Sequence, residues 1–232
     1  MFDIKFAEQS FGPILAAAPL TLLVGLGATL IGLLLAILVV VIRERKVPVL
    51  NPIFATLVSF IRGTPILVQL YVVYYGLPRL IGWIAGTDTS PTGMPAIIIA
   101  FTAYSLNAMA NISESILAAY HAVDPGQLEA ALSVGMSPLS SQVRIVIPQL
   151  ITNLLPNLTN IMLDLIKDTA LIYNIGLTEI MGEANIISSE GFKYLETYID
   201  ALIIYIIICW VLIYIFRRIE TLIRHHYQLN NY

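Results

Sequence analysis

Five stretches of this chain carry no charged side chain, and they decide what it can fold into. Residues 9–42, 63–78, 89–113, 145–163 and 201–216 are free of Asp, Glu, Lys and Arg, within 232 residues that are 58% hydrophobic and 12% charged. A helix needs about 20 apolar residues to cross the hydrocarbon core of a bilayer, somewhat fewer when its flanks sit in the interface. The runs therefore predict five membrane-spanning helices, at about 18–42, 60–79, 94–118, 143–166 and 198–217. Two runs, 63–78 and 201–216, are short, and Phe60, Ile61, Tyr194 and Tyr198 supply their interfacial turns. The expected fold class is an all-α membrane protein, with 1–232 as a single transmembrane domain.

Basic residues set the expected orientation. With the N-terminus outside, the inner segments hold Arg43, Arg45, Lys46, Arg62, Arg144, Arg217, Arg218 and Arg224, and the outer ones only Lys5, Arg79, Lys167 and Lys193. That asymmetry predicts N-terminus outside and C-terminus cytoplasmic in a multi-pass protein. Met1 to Glu8 lacks the basic start of a cleaved signal, so the first span is expected to be retained, with residues 1–17 along the outer face. Residues 82–93 read as an outer loop of turn chemistry, with Trp83 at headgroup level. Residues 171–197, with Glu179, Glu183 and Glu190, are too polar to cross and are expected to pack as short helices outside.

Several function classes drop out. No Gly-x4-Gly-Lys-[Ser/Thr] loop precedes any of the four lysines, so nothing here predicts an ATP-hydrolysing enzyme or a bound cofactor. The net charge of −3 points to no nucleic-acid partner. The single cysteine, Cys209, leaves no intrachain disulfide. His121, His225 and His226 lack the cysteine or acidic companions of a metal site, so no metal is expected.

Two spans carry residues that do not belong in lipid. In the third, Tyr104, Asn107, Asn111, Glu114 and Ala118 recur at intervals of three and four; in the fourth, Asn153, Asn157, Asn160 and Asp164 do the same, followed by Lys167 and Asp168. A polar helical stripe inside a membrane turns towards protein or a water-filled cavity, and placing Asp or Lys at the bilayer centre costs about 2.5 kcal/mol or more. One reading is a shared polar route for a zwitterionic solute, with Asn107, Asn111, Glu114, Asn157, Asn160, Asp164 and Lys167 lining it. Amides would meet uncharged groups, the carboxylates an ammonium, and Lys167 a carboxylate. The other is that the asparagines only tie neighbouring helices together, at about 0.6 kcal/mol each, and that Lys167 bridges to Asp164 or Asp168, its helical neighbours.

Between those spans lies a short polar island, Gln127-Leu-Glu-Ala-Ala-Leu-Ser-Val-Gly135, leading to Arg144-Ile-Val-Ile-Pro148. Asp124-Pro125 suits an N-cap and first helical position, Glu129, Ala130 and Ala131 favour helix, and Gly135 suits the stop. The spacing predicts one short helix within 121–142, small enough on one side to lie closely on a partner.

These segments, with Phe60-Ile-Arg-Gly-Thr-Pro-Ile-Leu-Val-Gln-Leu70, Tyr75-Gly-Leu-Pro78 and Leu165-Ile-Lys-Asp-Thr-Ala-Leu171, resemble the permease subunits of bacterial polar-amino-acid ABC importers over nearly the whole chain. The resemblance implies a type I importer permease with five transmembrane helices per subunit in a bacterial cell membrane. It also implies a second permease subunit, identical or homologous, two ABC ATPase subunits inside that bind ATP and Mg, and an extracellular substrate-binding protein that delivers the amino acid. In that family the Glu-Ala-Ala loop is the coupling helix seated in a groove of the ATPase, which assigns that role to Gln127, Glu129, Ala130, Ala131 and Gly135. The run Gln-x-Glu-Ala-Ala-x-Ser-Val-Gly-Met is most similar to cystine permeases.

Two positions depart from the family pattern. Ala-Glu-x-x-Arg usually ends the third helix, whereas here the run is Ser113-Glu-Ser-Ile-Leu117, which leaves Glu114 without its basic neighbour and freer to meet a cation. Ile147 replaces a leucine before proline, a volume-conserving change expected to be harmless. The rival from another class is an ion- or proton-coupled secondary carrier relaying through Glu114, Asp164 and Asp168. Five spans without an inverted repeat, and a loop that would then have no purpose, speak against it.

Overall fold

The computed structural model describes residues 2–86 and 93–229, with side chains up to residue 225. The segment 87–92 within the expected outer loop, and the side chain of His226, lie outside the described residues. All regular structure among those residues is helical: α1 (Ile4–Ala16), α2 (Ala18–Glu44), α3 (Leu50–Arg62), α4 (Ile66–Ala85), α5 (Ala96–His121), α6 (Pro125–Ser133), α7 (Pro138–Ser141), a π-turn (Gln142–Val146), α8 (Ile147–Asp168), a 3-10 turn (Thr169–Ile175), α9 (Ile180–Gly191) and α10 (Tyr194–Leu229).

Among the described residues four helical stretches are long and apolar enough to cross a membrane: Ile4–Glu44, Ile66–Ala85, Ala96–His121 and Tyr194–His225. The helix at the expected fourth span, α8, has the length at 22 residues but carries a polar stripe that lowers its apolar character. The second span shifts outward from the predicted 60–79. Residues 60–62 end the amphipathic α3, and α4 starts only after Pro65, whose extended backbone (φ −63°, ψ 138°) caps it and breaks it from α3. α4 then runs four residues into the expected outer loop, to a left-handed Gly86.

α5 is the hub, packed against α2, α8, α4 and α3. The α2–α5 seam is close because α2 presents small residues: a Cβ added at Gly32 would sit 2.4 Å from Ala108 Cβ and 2.9 Å from the Met109 nitrogen. Helices in lipid associate through such close approach, since burying apolar side chains gives no advantage over contact with acyl chains. A second cluster joins α1, the start of α2, α9 and α10 through Ile14, Ala18, Ile180, Ala184, Ala201 and Ile204. There the N-terminal segment is a pinned helix. Asp3 caps α1 by accepting from the Phe6 amide (3.2 Å), Glu196 accepts from the Asp3 amide (2.9 Å), and Ser10 donates to Asp200 (2.6 Å).

Candidate functional site

The α5 stripe is turned towards the α3–α4 junction. Asn111 Nδ2 donates to the carbonyl and to the side-chain oxygen of Asn107 (3.0 Å each), and Asn107 Nδ2 donates to Gln69 Oε1 (3.0 Å). Gln69 in turn donates to the Ile61 carbonyl (2.7 Å) and to Thr64. Gln69 was not singled out from the sequence, although an amide among aliphatic residues inside a span is the signal that finds it. Tyr104, expected on the same face, is fully buried, and its hydroxyl donates to the Asp168 carbonyl.

Glu114 is not free. It pairs with Arg43 from α2 and lies 3.8 Å from Arg62 at the end of α3. The basic partner missing at position 117 is thus supplied from elsewhere in the fold, by a residue 71 positions away that no local pattern reveals. Beside this pair is a cavity of about 390 Å³, whose walls include Leu117, Asn51 and His121, with His121 Nε2 3.1 Å from Glu44.

The α8 stripe behaves differently. Asn153, Asn157, Asn160, Asp164 and Lys167 are all exposed along one face. Asn157 reaches α5 by donating to Ser115 Oγ (2.6 Å), and Ser115 donates to the Asn111 carbonyl (2.9 Å), so the two stripes meet here as well as at the Tyr104–Asp168 hydrogen bond. Lys167 bridges to Asp164 at 2.7 Å, the alternative that spacing alone left open. Asn153 and Asn160 have no side-chain partner among the described residues.

At the opposite end of α8, α6 is a nine-residue helix. Asp124 accepts from the Gly126 amide (2.8 Å) and Pro125 opens the first turn, while Gly135 adopts the left-handed conformation (φ +85°) that lets the chain turn back. Ala131 is its buried anchor; Gln127, Glu129 and Ala130 are exposed. α6 rests on α7 and the π-turn, and a cavity of about 800 Å³ separates much of it from α8 and α10.

One residue of the polar segment 171–197 is buried, which its polarity did not suggest. Glu179, fully buried between the fourth and fifth expected spans, caps α9 by accepting from the Met181 (2.9 Å) and Gly182 (2.8 Å) amides and from the Tyr205 hydroxyl (2.8 Å). Burial raises its pKa above the ordinary carboxylate range, and the hydrogen bonds from Met181, Gly182 and Tyr205 oppose that shift. Among the described residues no group of His, Cys, Asp and Glu is arranged to hold a metal ion.

Comparison with known proteins adds an independent line. Residues 28–226 match the family described as binding-protein-dependent transport system inner membrane component. A probable amino-acid permease, YxeN of Bacillus subtilis (strain 168), is 34% identical over 220 residues, covering 95% of this chain and 93% of the relative. The L-cystine transport system permease TcyL of the same organism is 34% identical over 223 residues, covering 96% and 92%. Among solved structures, a chain from the crystal structure of an amino acid ABC transporter with histidines superposes with a TM-score of 0.83 at 28% identity, over 95% of this chain and 99% of that one. A chain of the inward-facing MetNI methionine ABC transporter shares the fold, with a TM-score of 0.64 at 16% identity over 88% and 92%.

Proposed function

The chain belongs to the family of inner membrane components of binding-protein-dependent transport systems, and from that premise we propose that it is the permease subunit of an ATP-driven amino-acid importer, carrying cystine. It lines the route for the amino acid, and a partner ATPase hydrolyses the ATP. The names of TcyL and of TcyB, the latter 36% identical over 211 residues, support the choice of cystine. The proposed assembly has two permease subunits, two ATPase subunits with ATP and Mg on the inner side, and an extracellular binding protein. The five spans, taking α8 as the fourth, run with the N-terminus outside, as the basic residues favour.

The observation that carries this reading is the pairing of two features on one helix hairpin. α6 projects a capped helix with an exposed Gln127–Glu129–Ala130 face, and α8, which follows it, presents an exposed row of amides. A partner that grips α6 therefore acts close to the route. Closure of the ATPase pair on ATP moves α6, provided α6 packs better against one ATPase state than the other. Glu129 supplies a charge at the docking face, and Gly135 the turn. The amino acid passes between α8 of this subunit and the facing subunit, with Asn157, Asn160, Asp164 and Lys167 on this side and the Asn107–Asn111 face deeper in.

The test is ATP hydrolysis in proteoliposomes holding this chain with its co-purifying ATPase, with binding protein supplied and single amino acids added in turn. Stimulation strongest with cystine is expected, with uptake that depends on ATP and resists an uncoupler. Uptake abolished by the uncoupler, with no ATPase recovered, overturns the reading.

A further inference from the structure

Resting on the importer reading, we propose that Gln149 is the positioning residue through which displacement of the coupling helix α6 is carried into the route helix α8. Gln149 Nε2 donates to Gln127 Oε1 at 2.5 Å, and among the described residues this is the one side-chain hydrogen bond between α6 and α8. It crosses a gap. The cavity of about 800 Å³ there is bounded by Gln127, Ala131 and Met136 on one side and by Arg144, Gln149 and Asn153 on the other. Without packed side chains over much of that space, α6 meets α8 itself through this bridge, its other route being its packing on the π-turn that leads into α8.

Register gives the contact its reach. Gln149, Asn153 and Asn157 are spaced by four residues, so Gln149 is the inner end of the same helical face that carries the amide stripe. A pull on its side chain acts on that face and not on the α8 surface packed against α10. The same amide group also donates to the Ile145 carbonyl (3.0 Å), within the π-turn Gln142–Val146 that leads into α8. A π-turn has one residue more per turn than an α-helix needs, which gives α8 a place to change its rotation without unwinding. The Gln127–Gln149 bridge thus sits across a hinge, joined to both of its sides.

The experiment compares uptake per ATP hydrolysed in proteoliposomes holding the complete transporter with its binding protein. Gln149→Leu keeps much of the side-chain volume and removes the amide. We expect substrate-stimulated hydrolysis to persist while uptake per ATP falls about threefold or more, the range set by one net hydrogen bond. Gln127 also lies on the face offered to the ATPase, so Gln127→Leu is read by the ratio alone: uptake per ATP falls by the same factor, and adding Gln149→Leu lowers it no further, because both remove one contact. Gln149→Lys with Gln127→Glu, which replaces the bridge by an ion pair, restores the ratio; a merely structural role would not respond to that exchange. An unchanged ratio in the single variants, losses that multiply in the double variant, or no recovery with the ion pair overturns the proposal. Absence of ATP-driven uptake by the unaltered transporter instead overturns the importer reading on which it rests.

Discussion

A methyl group placed on Gly32 probes the seam on which the bundle depends. The added Cβ would lie 2.4 Å from Ala108 Cβ, 2.9 Å from the Met109 nitrogen and 3.0 Å from the Ser105 carbonyl oxygen. Carbon atoms rest about 3.5–4.0 Å apart, so α2 and α5 would have to part locally by roughly 1 Å. Two of the three obstacles are backbone, which no rotamer change can move. Over-packing of this kind costs about 1–3 kcal/mol, against a helix-propensity gain of about 0.8–1.0 kcal/mol for Gly to Ala. Gly76 provides the control, because it lies inside α4 with nothing within 4 Å of a built Cβ. Gly76→Ala collects the propensity gain alone, so the difference between the two variants isolates the overlap. Thermal unfolding in one detergent should place Gly32→Ala below Gly76→Ala by about 1–3 kcal/mol, or roughly 2–12 °C in midpoint. Adding Ala108→Gly removes the shortest approach and should recover part of the loss. Equal midpoints for the two alanine variants would refute the argument that backbone contact defines this seam.

Three other perturbations follow from the site. Arg43→Gln leaves Glu114 with only Arg62 at 3.8 Å, and because the pair is partly exposed (side chains 19% and 30%) the expected loss is about 1–3 kcal/mol, below that for a fully buried pair. Leu117→Arg in the same background should return part of that loss in thermal midpoint, since Leu117 borders the same cavity one turn from Glu114; no recovery counts against the compensation. Glu129→Lys should leave the midpoint unchanged and abolish substrate-stimulated ATP hydrolysis by the partner, and unchanged stimulation would remove Glu129 from the docking face. Glu179 gives a pH dependence. Burial raises its folded-state pKa, so the folded chain holds this proton more tightly than the unfolded one, and stability falls as pH rises from the unfolded value through the folded one. Midpoints should decline across that interval and flatten in Glu179→Gln; an identical slope in the variant assigns the decline to another group.

Most of the long apolar helices and the short helix α6 were legible because each is written locally. Charge-free runs mark the spans, and α6 follows from Asp124, Pro125 and Gly135 within twelve residues of chain. The second span, expected at 60–79, was started too early: Pro65 separates two helices, so Phe60 and Ile61 belong to α3 and not to the second span. Pairings between distant segments were not legible. Periodicity shows that Asn107, Asn111 and Glu114 share a face but cannot say what that face meets. The structure answers with Gln69, Arg43 and Arg62 from three other helices. Position 117 shows the limit most plainly. The local pattern predicts an unpaired glutamate, whereas the fold brings in Arg43 from the end of α2.

On the importer reading proposed above, the difference between the two stripes assigns selectivity to α8. On α5 both amide NH₂ groups are engaged within the chain, Asn111 on Asn107 and Asn107 on Gln69, so a substrate must break an existing hydrogen bond to use them. On α8, Asn153 and Asn160 have no such partner among the described residues, and they are exposed. An amide left unpaired in hydrocarbon costs roughly 2–7 kcal/mol, and two of them outweigh the gain from any single helix contact in lipid, about 0.6–2 kcal/mol. That imbalance turns the α8 face away from acyl chains and towards water or a facing subunit. Lys167 and Asp164, paired at 2.7 Å on the same face, then offer a zwitterion both of its complementary charges at once, exchanging one ion pair for two. Neutralising both together, as Asp164→Asn with Lys167→Gln, should weaken uptake through KM and leave the unfolding midpoint nearly unchanged, because an exposed pair contributes about 1 kcal/mol or less to stability. A large fall in midpoint with unaltered KM would make the pair a structural strap and move selectivity to the facing subunit.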